Sequence, residues 1–312
     1  MAPRSASTWA AHASVAAAAV CFGSTFLPVQ DAVRHAGPVP FLAVRFIAGA
    51  VILVPIARRR PLPRPAGLVV SEGLRCGLPL LAGYLLQTWG LRYTTTSTSA
   101  FITYMLVVMV PVLGAATARR LPAPAVVAGV VLAAAGLYLL TGAGVRGFGL
   151  GEWLTLGCAF SFAVNILAIG RAVARVDAVW LALAQLAVVG LGCAVPGAFI
   201  GGYRLPAATV AAALYTALVA SALAFGLQIW GQQLVGPTRT SLLLMIEPVT
   251  AAVIGRLAAH ERLGAGGVAG AAMILAGIAL SEAPILTAES RRTMLSPAPD
   301  GGERRGQVQD PI

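Results

Sequence analysis

The sequence predicts an all-α polytopic membrane protein, with ten transmembrane helices forming two inverted five-helix repeats around a central cavity. Three observations predict it. Of the 312 residues 58% are hydrophobic and only 11% charged, with a mean hydropathy of +0.83, which is far from the makeup of a soluble domain. Apolar runs of about 20 residues, the length that crosses a hydrocarbon core of roughly 30 Å as a helix, follow one another from Trp9 to Ser281. The second half of the chain also repeats the first.

The expected spans are 9–30, 38–57, 70–92, 96–118, 122–141, 150–170, 178–200, 208–233, 238–257 and 264–281. Helices follow from long runs without alternation, because a membrane barrel would show segments of about ten residues alternating in polarity. The first run lacks a strong basic stretch before it, and its Pro28 and Gln30 do not resemble a signal-peptidase site, so it reads as a spanning helix. Domain limits follow: an N-terminal segment 1–8, a first repeat 9–141, a second repeat 150–282, and a polar, Pro- and Gly-rich tail 283–312 expected to be disordered.

All 22 basic residues are arginine. With the N-terminus in the cytoplasm, 15 of them fall on the cytoplasmic side, including Arg58, Arg59, Arg60 and Arg64, and 6 on the opposite side: Arg34, Arg92, Arg146, Arg204, Arg256 and Arg262. Arg45 alone lies inside a span. This asymmetry predicts both termini on the cytoplasmic side of the cytoplasmic membrane. The net charge of +11 is spread over loops at head-group level, where it favours anionic lipid over nucleic acid. Cys21, Cys76, Cys158 and Cys193 lie in different spans without metal-ligand spacing and read as packing residues. No cofactor or metal is expected.

Self-similarity carries the most specific signal. "LLQTWGLRY" (85–93) matches "GLQIWGQQL" (226–234), setting Gln87, Trp89 and Gly90 over Gln228, Trp230 and Gly231 at an offset of 141. Gly129 and Gly136 fall over Gly270 and Gly277 at the same offset, and Phe22 over Phe162 and Arg45 over Gln185 at 140. Pro111 pairs with Pro248 at 137. Five spans per repeat is an odd number, so the second copy must enter the membrane upside down. Secondary transporters use such inverted repeats to open a central site to each side in turn.

"CFGSTF" in the first span, "AVRFIAGAVIL" in the second, "QTWGLRYTTTSTSAFITYMLVVMVP" across the third and fourth, and "EPVTAAVIGRLAAHERLGAGGVAGAAMILAGIAL" across the last two together resemble the EamA-type family of the drug/metabolite transporter superfamily. The resemblance covers about residues 12–282. It implies ten helices in two inverted repeats, a central cavity, and movement of small organic molecules. Two positions depart from the pattern: the stretch after the fourth span reads "ARRLPAP" without an acid, and Phe22 stands where the first-span motif usually has Trp.

Glu247 lies about nine residues into its span and so near the bilayer midplane, where an ionised acid must face water, take up a proton or meet a cation. Pro248 after it removes a helix hydrogen bond and is expected to kink the helix and free the carbonyl near position 244, with Pro111 as its counterpart and Val110 in place of the acid. Arg45, about 7 residues or ~10 Å from its boundary, either approaches Glu247 or a substrate anion or snorkels outward. Gln87, Gln228, Asn165 and Gln185 carry amides that suit zwitterions or sugars, or else bond helix to helix. Trp89 and Trp230 serve as ligand walls or, the favoured reading, as interface anchors. Thr96, Ser99 and Thr103 share a helical face with Tyr104 beside it, while the hydroxyls of 94–97 suit a helix cap.

The expected function is secondary active transport, with export the favoured direction and proton coupling a candidate, since no P-loop for ATP is present. The expected partners are a small-molecule substrate and membrane lipid. A membrane-embedded enzyme acting on a lipid or isoprenoid substrate is the alternative, and it would call for clustered acids or a His/Asp pair at the surface. Asp31 and Asp177 stand alone, so no catalytic residue is assigned.

Overall fold

The computed structural model describes residues 4–141 except 118, 120, 122 and 123, then 148–260, and 264–280 except 278. Among these residues every regular element is helical. Eight helices are long and apolar enough to cross a membrane: α1 (Arg4–His35, apolar from Trp9), α2 (Pro38–Ala57), α3 (Gly67–Gly90), α4 (Thr96–Thr117), α6 (Leu150–Ala172), α7 (Ala178–Phe199), α8 (Ala207–Val235) and α9 (Arg239–Ala258). Between and after them lie two shorter apolar helices, α5 (Pro124–Thr141) and α10 (Ala265–Gly277). The tail expected to be disordered and the Glu261-Arg262 pair lie outside the described residues, Arg262 and Glu261 included.

Local chemistry sets the helix ends. α1 runs past its expected end at residue 30, through Pro28, because Arg34 and His35 in its last turn complement the negative end of the helix dipole. α4 begins at Thr95, whose hydroxyl accepts from the Thr98 N–H at 3.1 Å, so the hydroxyl-rich start is a cap. Asp177 caps α7 in the same way through the Val179 N–H.

Three helices are irregular where the repeat alignment shifts. Counted from the starts at Gly67 and Ala207, α3 and α8 correspond at an offset of 140, whereas their Gln-x-Trp-Gly motifs correspond at 141. Between the two, Ala217–Ala224 of α8 is a π-helix, the wide turn by which a helix takes in one extra residue. α4 breaks at Tyr104-Met105 and α9 at Leu244-Met245. These breaks correspond at an offset of 140, which corrects the pairing of Pro111 with Pro248: the structural counterpart of Glu247 is Val107. Nor is the Leu244 carbonyl free, since it accepts from the Glu247 N–H at 2.9 Å in a tight turn that Pro248, lacking an N–H, leaves available.

Small residues let the helices approach. α2 packs on α7, α3 on α6 and α7, and α1 on α8 and α9. A Cβ on Gly90 of α3 would lie 2.8 Å from Thr155 Oγ1 on α6, and one on Gly231 of α8 would lie 2.6 Å from Ser14 Oγ on α1. α5 and α10 cross through glycines: a Cβ on Gly136 would lie 2.6 Å from the Gly270 carbonyl, and one on Gly277 at 2.6 Å from the Gly129 carbonyl. Gly73 and Gly77 likewise press on Ala184 and Val188 of α7. Gly201 occupies a turn at φ +102°.

The two ends of the bundle are tied differently. At one, Gln30 of α1 donates to the Thr94 carbonyl at 2.9 Å and accepts from Thr96 Oγ1 at 2.9 Å, while Thr94 Oγ1 donates to Glu152 of α6 at 2.7 Å. At the other, the buried Glu72 carboxylate accepts from Arg75 Nη1 at 2.7 Å and from Arg175 Nη1 at 3.2 Å, joining α3 to the α6–α7 connection. Both arginines are largely exposed, so solvent weakens the pairs, and a net contribution of roughly 1–2 kcal/mol remains for two charged hydrogen bonds on a buried acceptor. Glu72→Ala is predicted to lower the unfolding midpoint in detergent by a few degrees. An unchanged midpoint would show that the pair holds nothing together.

Candidate functional site

The breaks in α4 and α9 face each other. Glu247 sits in the first turn of the second part of α9, where the positive end of the helix dipole favours an acid. Tyr104 closes the first part of α4 and donates its hydroxyl to Glu247 Oε2 at 2.6 Å. A buried hydrogen bond therefore staples the two broken helices together. Gly23 lets α1 pack closely on α9 beside this bond, since a Cβ there would lie 2.6 Å from the Glu247 carbonyl.

Around this bond is a cavity with residues of both halves in its wall, about 620 Å³ with its open mouth included. Arg45 of α2 reaches it from the opposite side and is 3% exposed, so the guanidinium does not snorkel to the surface. Its Nε donates to Ser221 Oγ at 3.1 Å, a hydroxyl carried by the π-helical turn of α8. Its guanidinium carbon lies 4.9 Å from the centre of the Tyr84 ring and 5.0 Å from that of Phe46, two cation–π contacts. Among the described residues no carboxylate comes within 4.0 Å of Arg45, Glu247 included. A buried cation and a buried acid thus face one cavity without pairing.

The amides divide. Gln87 lines the cavity and donates to Thr103 Oγ1 at 3.2 Å; Gln228 lines it with no hydrogen bond to another described residue. Asn165 lines it too, but its Nδ2 is engaged by the Cys76 carbonyl at 2.8 Å and Gln185 Oε1 at 3.2 Å. Gln185 stands behind that wall as a helix-to-helix partner. Trp89 packs on the core and Trp230 is partly exposed; neither is in the cavity wall, so the ligand-wall reading is set aside. Pro111 and Pro248 also stand outside the wall.

The aromatic lining was not foreseen. Phe22 meets Phe225 edge-on at 5.1 Å, and Phe162 meets Tyr84 edge-on at 5.1 Å. Tyr84 and Phe225 lie 6.2 Å apart between them. The signal was one residue away: Tyr84 and Phe225 immediately precede the two matched Gln-x-Trp-Gly segments, at the same offset of 141.

The cavity reaches unequally toward the two ends. Val29 of α1 and Leu91 after α3 belong to its wall, but Ile169 and Gln232, which stand 140 and 141 residues on, do not. There the space is filled: Gln232 Nε2 donates to the Ile166 carbonyl at 2.9 Å, and Gly170 is so close to Pro237 that a Cβ would lie 2.5 Å from its Cγ.

Known proteins fit this architecture. A solved structure described only as "Crystal structure of protein" superposes with a TM-score of 0.65 over 93% of this chain and 99% of its own, at 19% identity, a likeness of fold. An uncharacterized transporter of Archaeoglobus fulgidus is 29% identical over 242 residues, which is 77% of this chain and 75% of that protein. The model of the EamA-like transporter family matches residues 9–142 and again 149–282. With most of its length accounted for by two copies of that model and eight helices able to cross a membrane, this multi-pass membrane protein belongs to the EamA-like transporter family.

Proposed function

We propose that the chain is a secondary active transporter that moves small organic solutes carrying an anionic group, zwitterions foremost, across the cytoplasmic membrane, with export as its working direction. The observation that carries this reading is the cavity between the halves, in which Arg45 and Glu247 face the same space without forming an ion pair with each other. A buried cation held only by a hydroxyl and two aromatic faces gains from an opposite charge, and a solute with a carboxylate for Arg45 and an ammonium or hydroxyl for Glu247 engages both groups at once. Glu247 is also the only acid in the wall among the described residues, and so the group at which a proton or a cationic solute exchanges.

Alternating access through a ten-helix inverted repeat is supported by how contacts recur. Exchanging the halves turns the Phe22–Phe225 contact into Phe162–Tyr84, Gly90–Thr155 into Gly231–Val15, and Gly136–Gly270 into Gly277–Gly129. Such exchange fits two halves related by a two-fold axis in the membrane plane, with repeats at 9–141 and 150–282 and both termini cytoplasmic. The cavity's unequal reach fits one of the two end states.

The test is comparison of solutes in medium and cells for a host expressing the wild type, Arg45→Gln or no transporter, at matched membrane levels. At least one solute with an anionic group is expected to leave wild-type cells and stay within Arg45→Gln cells. Profiles identical with and without the wild-type protein would overturn transport; export unaffected by Arg45→Gln would overturn the anionic class.

A further inference from the structure

At the end of the bundle opposite Glu72, the α1–α2, α3–α4 and α7–α8 connections enclose a recess lined by Arg34, His35, Gly37, Arg92, Gly201 and Arg204. Three arginines share it, Arg34 from the last turn of α1 and Arg92 and Arg204 from the α3–α4 and α7–α8 connections. The floor is built rather than loose: a Cβ on Gly201 would lie 3.2 Å from the Gly37 Cα, and its φ of +102° is one that side-chain-bearing residues rarely adopt.

The charge in this recess is unbalanced. The ion pairs among the described residues are His35 with Asp31 at 3.9 Å and the two arginines on Glu72, so no described carboxylate lies within 4.0 Å of Arg34, Arg92 or Arg204. Two helices also begin here, α2 after Gly37 and α8 after Pro206, and neither has a side-chain cap or an acid in its first turn. The positive ends of two helix dipoles therefore add to the three arginines, an arrangement that favours an anion. The repeat sharpens the contrast. His35 and Arg175 correspond at an offset of 140, but the residue 140 beyond Glu72 is Ala212. Each end keeps its basic group, and only one has an acid at the position of Glu72.

We propose that this recess is a binding site for an oxyanion, a phosphate or carboxylate group, which bridges Arg34, Arg92 and Arg204. The bound anion ties the three connections together at this end as the Glu72 carboxylate ties α3 to the α6–α7 connection at the other. The group comes either from a lipid headgroup or from a free anion in solution.

The test uses the full-length protein in nanodiscs of phosphatidylcholine alone, or of phosphatidylcholine with phosphatidylglycerol, titrated with inorganic phosphate and followed by its unfolding midpoint. In phosphatidylcholine, phosphate is expected to raise the midpoint saturably by a few degrees in the wild type and in Arg58→Gln/Arg59→Gln, a control of equal charge loss in the α2–α3 connection. Arg92→Gln/Arg204→Gln is expected to lose that rise, and Arg92→Lys/Arg204→Lys to keep part of it, which separates lost binding from lost folding. If phosphatidylglycerol alone raises the wild-type midpoint and phosphate then adds nothing, the headgroup is the source; if it does not, the free anion is. A phosphate response absent from the wild type in both lipids without a phosphatidylglycerol effect, or equal in the wild type and Arg92→Gln/Arg204→Gln, would overturn the site. None of these readouts depends on transport.

Discussion

Glu247→Gln is expected to reduce transport at least tenfold while leaving the protein folded and in the membrane. The amide keeps the shape and can still accept the Tyr104 hydroxyl that now lies 2.6 Å from the carboxylate, so the staple between α4 and α9 survives. What it removes is the charge, and with it any exchange of a proton or a cationic group. Tyr104→Phe removes the staple and keeps the carboxyl group. Leaving a buried polar group without its partner costs about 1–3 kcal/mol, so the loss shows as roughly 5- to 150-fold if the bond is made in the slowest step. Transport is read as solute flux normalised to protein in the membrane. Wild-type flux through Glu247→Gln would make the acid a structural one, held for its bond to Tyr104.

The second large effect is expected at Gly23, which touches neither solute nor charge. A Cβ there would lie 2.6 Å from the Glu247 carbonyl and 2.7 Å from Thr250 Cβ, and the carbonyl belongs to the backbone and cannot turn aside. Gly23→Val must push α1 and α9 apart. Overpacking of this kind costs about 1–3 kcal/mol, roughly 2–8 °C in the unfolding midpoint, and it draws Glu247 away from Tyr104, so flux falls with stability. Gly226→Ala is the control: no atom lies within 4 Å of its added Cβ, and the midpoint should hold or rise slightly. Equal responses of the two variants would mean that the α1–α9 approach has no special role.

Much of this was legible in the chain because the bilayer leaves few choices. A run of twenty apolar residues must pair its backbone internally, so the eight long helices follow closely from composition, and the matched Gln-x-Trp-Gly segments expose the repeat. Arg45 and Glu247 stand out because charge at that depth demands a partner. Contacts between helices were less legible. Nothing in the order of residues says that Tyr104 reaches Glu247, because that depends on Gly23 bringing α1 against α9. The helix breaks were misplaced for a related reason. Proline marks where a hydrogen bond is missing, but the chain turns three to four residues before Pro248 and six to seven before Pro111, so the two prolines do not mark equivalent points. The tryptophans drew attention by their size, whereas the aromatic wall came from Phe and Tyr residues that sequence alone does not distinguish from ordinary core.

The wide turn at Ala217–Ala224 bears on how the two halves tolerate change in length. Removing one residue from an ordinary spanning helix rotates everything beyond it by about 100°, exchanging lipid-facing and protein-facing sides. Within this stretch the same deletion restores the offset of 140 and lets the turn relax to α geometry, so Phe225 and Gln228 keep their faces and the remainder of α8 stays in place. The local cost falls on Ser221, whose hydroxyl would leave Arg45. Here the gain or loss of a single codon, which elsewhere in the bundle would be ruinous, adjusts only the setting of one buried cation.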